Sequence, residues 1–235
     1  MSKLSVGIAA LRGFAELVYR AVFIGSDSSL KHTPFLLSVV LVVFQILLAG
    51  EGYLGLGTLA LLLGLQAVVF GVEEFLLYSE LLAALPALWY FLTTLPFTVS
   101  ISSSIEIGLR VFLVSISLTM LLQRLNPMEL SYLLSKIGVQ EGRILMPLTW
   151  KVIPHIMKDF QNALLVMDLK GTSFWKGIAI SFVAVEEYTE QYEEGLFLKL
   201  SNYRPEFSYS LRATGILLLF TILYAFSWIT LCSMK

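Results

Sequence analysis

The chain has little charge. Only 14% of its 235 residues are Asp, Glu, Lys or Arg, against about 25% in ordinary soluble domains. Cysteine is nearly absent: Cys232 stands alone, which excludes an internal disulfide and leaves the redox compartment open. There are two histidines, His32 and His155. They lie far apart without neighbouring cysteines, so no metal-ligand spacing exists, and His155 reads as a polar helix residue. Nothing matches G-x-x-x-x-G-K-[ST], so the chain carries no recognisable ATPase. HExxH, CxxC and GxSxG are also missing. The net charge of −1 comes without a basic patch interleaved with aromatics, which argues against nucleic acid as a partner. Lys3, Arg12, Glu16 and Arg20 break up any signal-peptide core. The pairs Glu73–Glu74, Glu186–Glu187 and Glu193–Glu194 are sequence neighbours. Adjacent residues do not face each other on a helix, so these read as solvated faces rather than acid–base pairs.

What is abundant is apolar surface. Hydrophobic residues make up 57% of the chain, and the mean hydropathy is +0.81. A soluble core could not hide this much, whereas a bilayer can. A spanning helix needs about 20 apolar residues. The stretches Phe35 to Gly50, Tyr53 to Val72, Leu81 to Ile101, Ile105 to Leu122 and Leu211 to Cys232 are expected to span. Thr33 and Pro34 extend the short first one, and Pro34 suits a first helical turn. Pro86 and Pro96 fall inside the third, where neighbouring helices tolerate such breaks.

Between Gln123 and Ser210 charge returns but helical periodicity persists. Leu145, Leu148, Val152, Ile156, Phe160, Ala163 and Met167 recur every three or four residues, the mark of an amphipathic helix. Pro154 is expected to bend it. Lys170 and Gly171 suit its end. A second such helix runs roughly from Ile178 to Leu200. Such faces must be buried on each other, on the membrane or in a partner's groove. The ends at Lys170–Gly171 and Ser201–Asn202–Tyr203–Arg204 look like docking tips. Plain helix ends capped by Gly or Asn explain them equally well.

Lys and Arg gather in the N-terminal arm and in this insertion. By the positive-inside rule both face the cytoplasm and the C-terminus lies outside. The segment around Glu73, Glu74 and Glu80 then reads as an internal loop. Within the fourth stretch Arg110 stands four residues after Glu106, so a helix places both on one face. A charge at mid-bilayer costs roughly 3 kcal/mol. The pair is either an ion or substrate path, or a structural pair that locks the helix to its neighbours or snorkels.

At this point the chain resembles a family: the transmembrane T component of energy-coupling-factor (ECF) transporters. Ser28–Ser29–Leu30–Lys31–His32–Thr33–Pro34 is similar to the family's segment before the first span, and Arg110 matches an Arg of its fourth span. Asn126–Pro127–Met128–Glu129–Leu130 followed by Lys136–Ile137–Gly138–Val139 resembles "T-x-P-L-E-L … R-L-G-V". Leu148–Thr149–Trp150–Lys151–Val152–Ile153–Pro154 resembles "L-A-x-R-F-I-P". Asp168–Leu169–Lys170–Gly171–Thr172–Ser173–Phe174 falls where the family has its first Ala-Arg-Gly signature, and Leu200–Ser201–Asn202–Tyr203 where it has the second. Lys170 replaces the first signature Arg, keeping charge but not the planar fork. Ser201 stands at the second, with Arg204 three residues on.

The resemblance implies a non-catalytic coupling subunit of the plasma membrane. Its partners would be two P-loop ATPase subunits, a small membrane-embedded substrate-binding S subunit and the bilayer, with no cofactor or metal of its own. The ATPase contacts would be Lys170, Gly171, Asn202, Tyr203 and Arg204. The cargo, a vitamin or a cobalt or nickel ion, would be chosen by the S subunit. The expected fold is an all-α integral membrane protein of about five transmembrane helices, with cytoplasmic amphipathic coupling helices inserted before the last. The expected division is 1–34, an N-terminal cytoplasmic segment; 35–123, four spans; 124–208, the coupling region; and 209–235, the last span. The rival readings are a self-contained secondary transporter or channel, an intramembrane enzyme and a membrane scaffold. Sparse intramembrane charge argues against the first. No converging His, Asp or Glu supports the second.

Overall fold

The computed structural model describes residues 3–23, 32–98, 100–139, 146–147, 149–150, 152–162, 179, 183 and 209–234. These residues are helical or connecting, with no strand among them. The helices are α1 (Lys3–Phe23), α2 (Phe35–Ala49), α3 (Gly52–Phe70), α4 (Glu73–Thr94), α5 (Ile101–Arg124), α6 (Pro127–Ile137) and α7 (Leu211–Ser233). Residues 152–162 are helical as well. The chain divides into two compact units, one of Met1–Tyr19 with Pro127–Phe207 and the other of Arg20–Asn126 with Ser208–Lys235.

In the first unit, α6 shows how sequence sets a helix's ends. Pro127 opens it, where a missing N–H costs nothing. Glu129 lies in the first turn and Lys136 in the last, each matched to the helix dipole. Gly138 closes it at φ 91°. The Val139 N–H bonds the Leu134 carbonyl at 3.0 Å and the Gly138 N–H bonds that of Ser135 at 3.3 Å, the double bond of a Schellman end. Along 152–162, Val152 is buried, Ile156 and Phe160 are half-buried, and His155 and Lys158 are exposed.

The second unit has the build of a multi-pass membrane protein. Gly52–Phe70, Leu76–Thr94, Ile101–Arg124 and Leu211–Ser233 are each long and apolar enough to cross a bilayer. The remaining apolar helix, α2, has 15 residues and is about 22 Å long, short of the roughly 30 Å hydrocarbon layer. Thr33 and Pro34 do not lengthen it. Pro34 is its cap, with extended backbone at ψ 126°.

α4 departs most from expectation. Glu73, Glu74 and Glu80, read as a loop, lie within this helix. At the other end the helix stops at Thr94, so Pro96 lies in the turn beyond it. Proline has no N–H to offer the preceding turn. The chain turns there, with the N–H groups of Phe97 and Thr98 both on the Thr94 carbonyl. Pro86 does sit inside α4.

Leu41 and Leu48 of α2, Leu59, Leu63 and Ala67 of α3, Leu113, Ile116 and Met120 of α5, and Leu217, Phe220 and Tyr224 of α7 form one buried cluster. α2 packs against α3, α5 and α7, whereas α4 lies chiefly along α5. The α2–α3 turn is tight: a Cβ on Gly55 would collide with the Leu48 carbonyl. α3 ends at Gly71, φ 63°, a left-handed conformation that only glycine adopts readily. Serine caps begin α5 and α7: Ser100 Oγ accepts from the Ser103 N–H and Ser210 Oγ from the Ala213 N–H, each satisfying a donor the helix leaves open.

Candidate functional site

Inside the apolar bundle lies a seam of buried polar side chains. Gln45 of α2, Gln66 of α3 and Tyr224 of α7 are all at most 1% exposed. Gln45 Nε2 donates to Gln66 Oε1 at 3.4 Å, and the Tyr224 hydroxyl donates to the same oxygen at 3.4 Å. One amide oxygen therefore joins three helices. Gln45 Oε1 and Gln66 Nε2 have no partner. The bonds that are made hold particular turns of α2, α3 and α7 against one another, so this seam fixes helix register.

A second polar group sits at the C-terminal end of α5. Gln123 Nε2 donates to the Ala21 carbonyl at 2.6 Å and to Ser79 Oγ at 3.1 Å. This side chain ties the end of α1 and the start of α4 to α5. Arg20 Nη1 donates to the Tyr78 hydroxyl at 2.9 Å, and its guanidinium lies 5.6 Å from the Tyr78 ring centre, a cation–π distance. Arg124, the last residue of α5, is 1% exposed, and its Nε, Nη1 and Nη2 all lack hydrogen-bond partners.

The charge pair read from the sequence is present. Arg110 Nη2 donates to Glu106 Oε1 at 3.1 Å, with side chains 42% and 28% exposed respectively. The pair lies within a single helix. Arg110 Nε is buried and without a partner. Gly108, between the two, brings α5 close to α4: a Cβ there would stand 3.2 Å from Phe91 Cβ.

Lys170, Gly171, Asn202, Tyr203 and Arg204 lie outside the described residues, as do Leu145, Leu148, Ala163 and Met167 of the expected amphipathic stripe. Among the described residues no three His, Cys, Asp or Glu side chains gather as a metal site. His32 and His155 are exposed.

The sequence reading missed Gln45, Gln66, Gln123 and Arg124. The signal was available for the glutamines of α2 and α3: each is a lone amide in an otherwise apolar helix, and a polar side chain in a span usually faces the bundle interior. Comparison of the chain with protein-family models, curated proteins and solved structures finds no match.

Proposed function

We propose that this chain is the transmembrane coupling subunit, the T component, of an ECF-type ATP-driven importer that takes up a vitamin or a cobalt or nickel ion. The observation that carries the reading is the order of motifs. The Asn126–Leu130 and Lys136–Val139 segments, the Leu148–Pro154 segment and the basic–glycine pair Lys170–Gly171 follow one another between the fourth and last apolar stretches, as they do in that family. The helices at Pro127–Ile137 and 152–162 support it, because a coupler must carry force along stiff elements rather than loops.

In this reading two cytoplasmic P-loop ATPases bind and hydrolyse ATP. Lys170, Gly171, Asn202, Tyr203 and Arg204 engage acidic grooves on them. The resulting motion passes into the spans and reorients a small membrane-embedded S subunit, which holds the cargo. The chain itself is non-catalytic, needs no cofactor and lies in the plasma membrane with its coupling region in the cytoplasm. A basic tip against an acidic groove is a charge-assisted contact whose reversal is repulsive. Lys170→Glu is expected to release an ATPase from the affinity-purified complex. Unchanged complex yield and ATPase activity would sink the assignment of that tip.

The half-exposed Glu106–Arg110 pair favours a second reading, a self-contained transporter, because a charge on an apolar helix face is costly in lipid. Arg110→Leu separates the two. A coupler keeps transport in its complex at lower protein stability, whereas a transporter that conducts past this pair loses it.

A further inference from the structure

We propose that the cleft between α4 and α5 binds one phospholipid whose headgroup carries a primary amine, with an acyl chain on its apolar wall and the ammonium on Glu80. The inference stands independently of the coupling reading. It begins with a periodicity. Leu77, Glu80, Leu81 and Ala84 recur at steps of three or four along α4, so the helix puts them on one face. Together with Tyr78, and with Phe112 of α5, they line a cavity of about 670 Å³. That is the size of a small-molecule site. Leu77 and Leu81 are 62% and 57% exposed, so the cavity opens on the outer side of the bundle, where lipid lies.

The polar residues of the lining select the occupant. Glu80 is half-buried, and among the described residues no hydrogen bond or ion pair takes its carboxylate. A bare carboxylate on an apolar span is costly, and a cation beside it offsets that cost. The Tyr78 hydroxyl accepts from Arg20 Nη1 at 2.9 Å, so its own O–H is left to donate to a further acceptor. The Arg20 guanidinium, 5.6 Å from the same ring's centre, adds positive charge there. Residues two apart do not face each other on a helix, so these donors and the Glu80 carboxylate are set apart. A phosphate linked through a short chain to an ammonium matches both: the phosphate takes the donors and the ammonium meets the carboxylate. Glu80 lies about 10 Å along α4 from its start, near one membrane surface, where tyrosines and the ends of long basic side chains meet headgroups. Leu77 to Ala84 also cover only about 10 Å of helix axis. A partner's spanning helix would need a seam along most of the roughly 30 Å hydrocarbon layer, whereas the first part of one acyl chain needs only this cleft.

The test uses the full chain purified in detergent. Its thermal unfolding midpoint is followed against three dioctanoyl lipids with the same tails: phosphatidylethanolamine, phosphatidylcholine, whose quaternary nitrogen has no N–H, and phosphatidylglycerol, which has no cation. Phosphatidylethanolamine is expected to raise the wild-type midpoint by about 5 °C near saturation. The other two should need about tenfold more lipid for half that rise. Glu80→Gln should erase the difference by weakening the response to phosphatidylethanolamine about tenfold, while the response to phosphatidylcholine stays put. Leu81→Trp, a bulky ring at an exposed position of the lining, should block the cleft and abolish the rise with all three. Should Leu81→Trp fail to fold, Leu77→Trp takes its place. Equal responses to the three lipids, no rise in wild type, or an unchanged response in Glu80→Gln would overturn the proposal. Leu81→benzoylphenylalanine, irradiated in native membranes, should give a crosslink to lipid. A crosslink to a second protein instead would overturn the proposal in favour of a partner's helix.

Discussion

α3 and α4 are neighbours in the chain, each long and apolar enough to cross a bilayer, that live in different surroundings. Of the spanning window in α3, 44% is buried inside the protein, against 11% in α4. α3 packs among α2, α5 and α7, whereas α4 lies mainly along α5 and shows Leu77, Leu81, Leu85, Leu88, Trp89 and Leu92 outward. Hydropathy does not tell an inner helix from an outer one, because lipid is as apolar as leucine. What separates them is how many helices lie around each. α3 has Gln66 and a close approach at Gly55 on its inner side, while α4 meets its one close partner through Gly108 of α5.

Paired substitutions give this contrast its largest expected effect. Leu59 is fully buried and Leu88 is 58% exposed. Leu59→Ala should cost about 2–3 kcal/mol through lost packing and the cavity left behind. Leu88→Ala, a change on a lipid-like surface, should stay within about 0.5 kcal/mol. Denaturant titration in detergent measures both, and equal losses would erase the distinction between inner and outer helix.

The polar seam sharpens it. Gln66→Leu leaves the Tyr224 hydroxyl and the Gln45 amide without their shared acceptor and should cost about 1–2 kcal/mol. Adding Gln45→Leu removes one stranded donor, so the double variant should recover part of that loss, read as a coupling energy in the same titrations. Strict additivity would mean that the two amides do not act together.

The smallest effect belongs to the outer contact. Gly108→Ala sets a methyl 3.2 Å from Phe91 Cβ. It should cost about 1 kcal/mol by overpacking, and Phe91→Ala in the same chain should relieve most of it. A Gly108→Ala variant as stable as wild type would show that α4 yields freely from α5.

Much of the fold was legible because twenty apolar residues have few places to go in water. α3, α5 and α7 lie where hydropathy puts them. α4 was misplaced for a local reason. Its early turns carry glutamates, which look like a loop, and its end is set by Pro96, which has no N–H to continue the helix. Hydropathy averages over both. The Glu106–Arg110 pair was legible because its members are four positions apart. The seam was not, because Tyr224 lies 158 residues from Gln66 and no short-range pattern joins them. Arg124 reads in sequence as the first charge after a span. Only its burial marks it out.

The coupling reading rests on partners, so the most direct measurement is mild-detergent affinity purification of the tagged chain from its native cells, with mass spectrometry of what accompanies it. The account predicts one or two P-loop ATPases and a small apolar subunit in the same complex. Recovery of the chain alone, with transport retained after reconstitution into vesicles, would contradict it and favour a self-contained transporter.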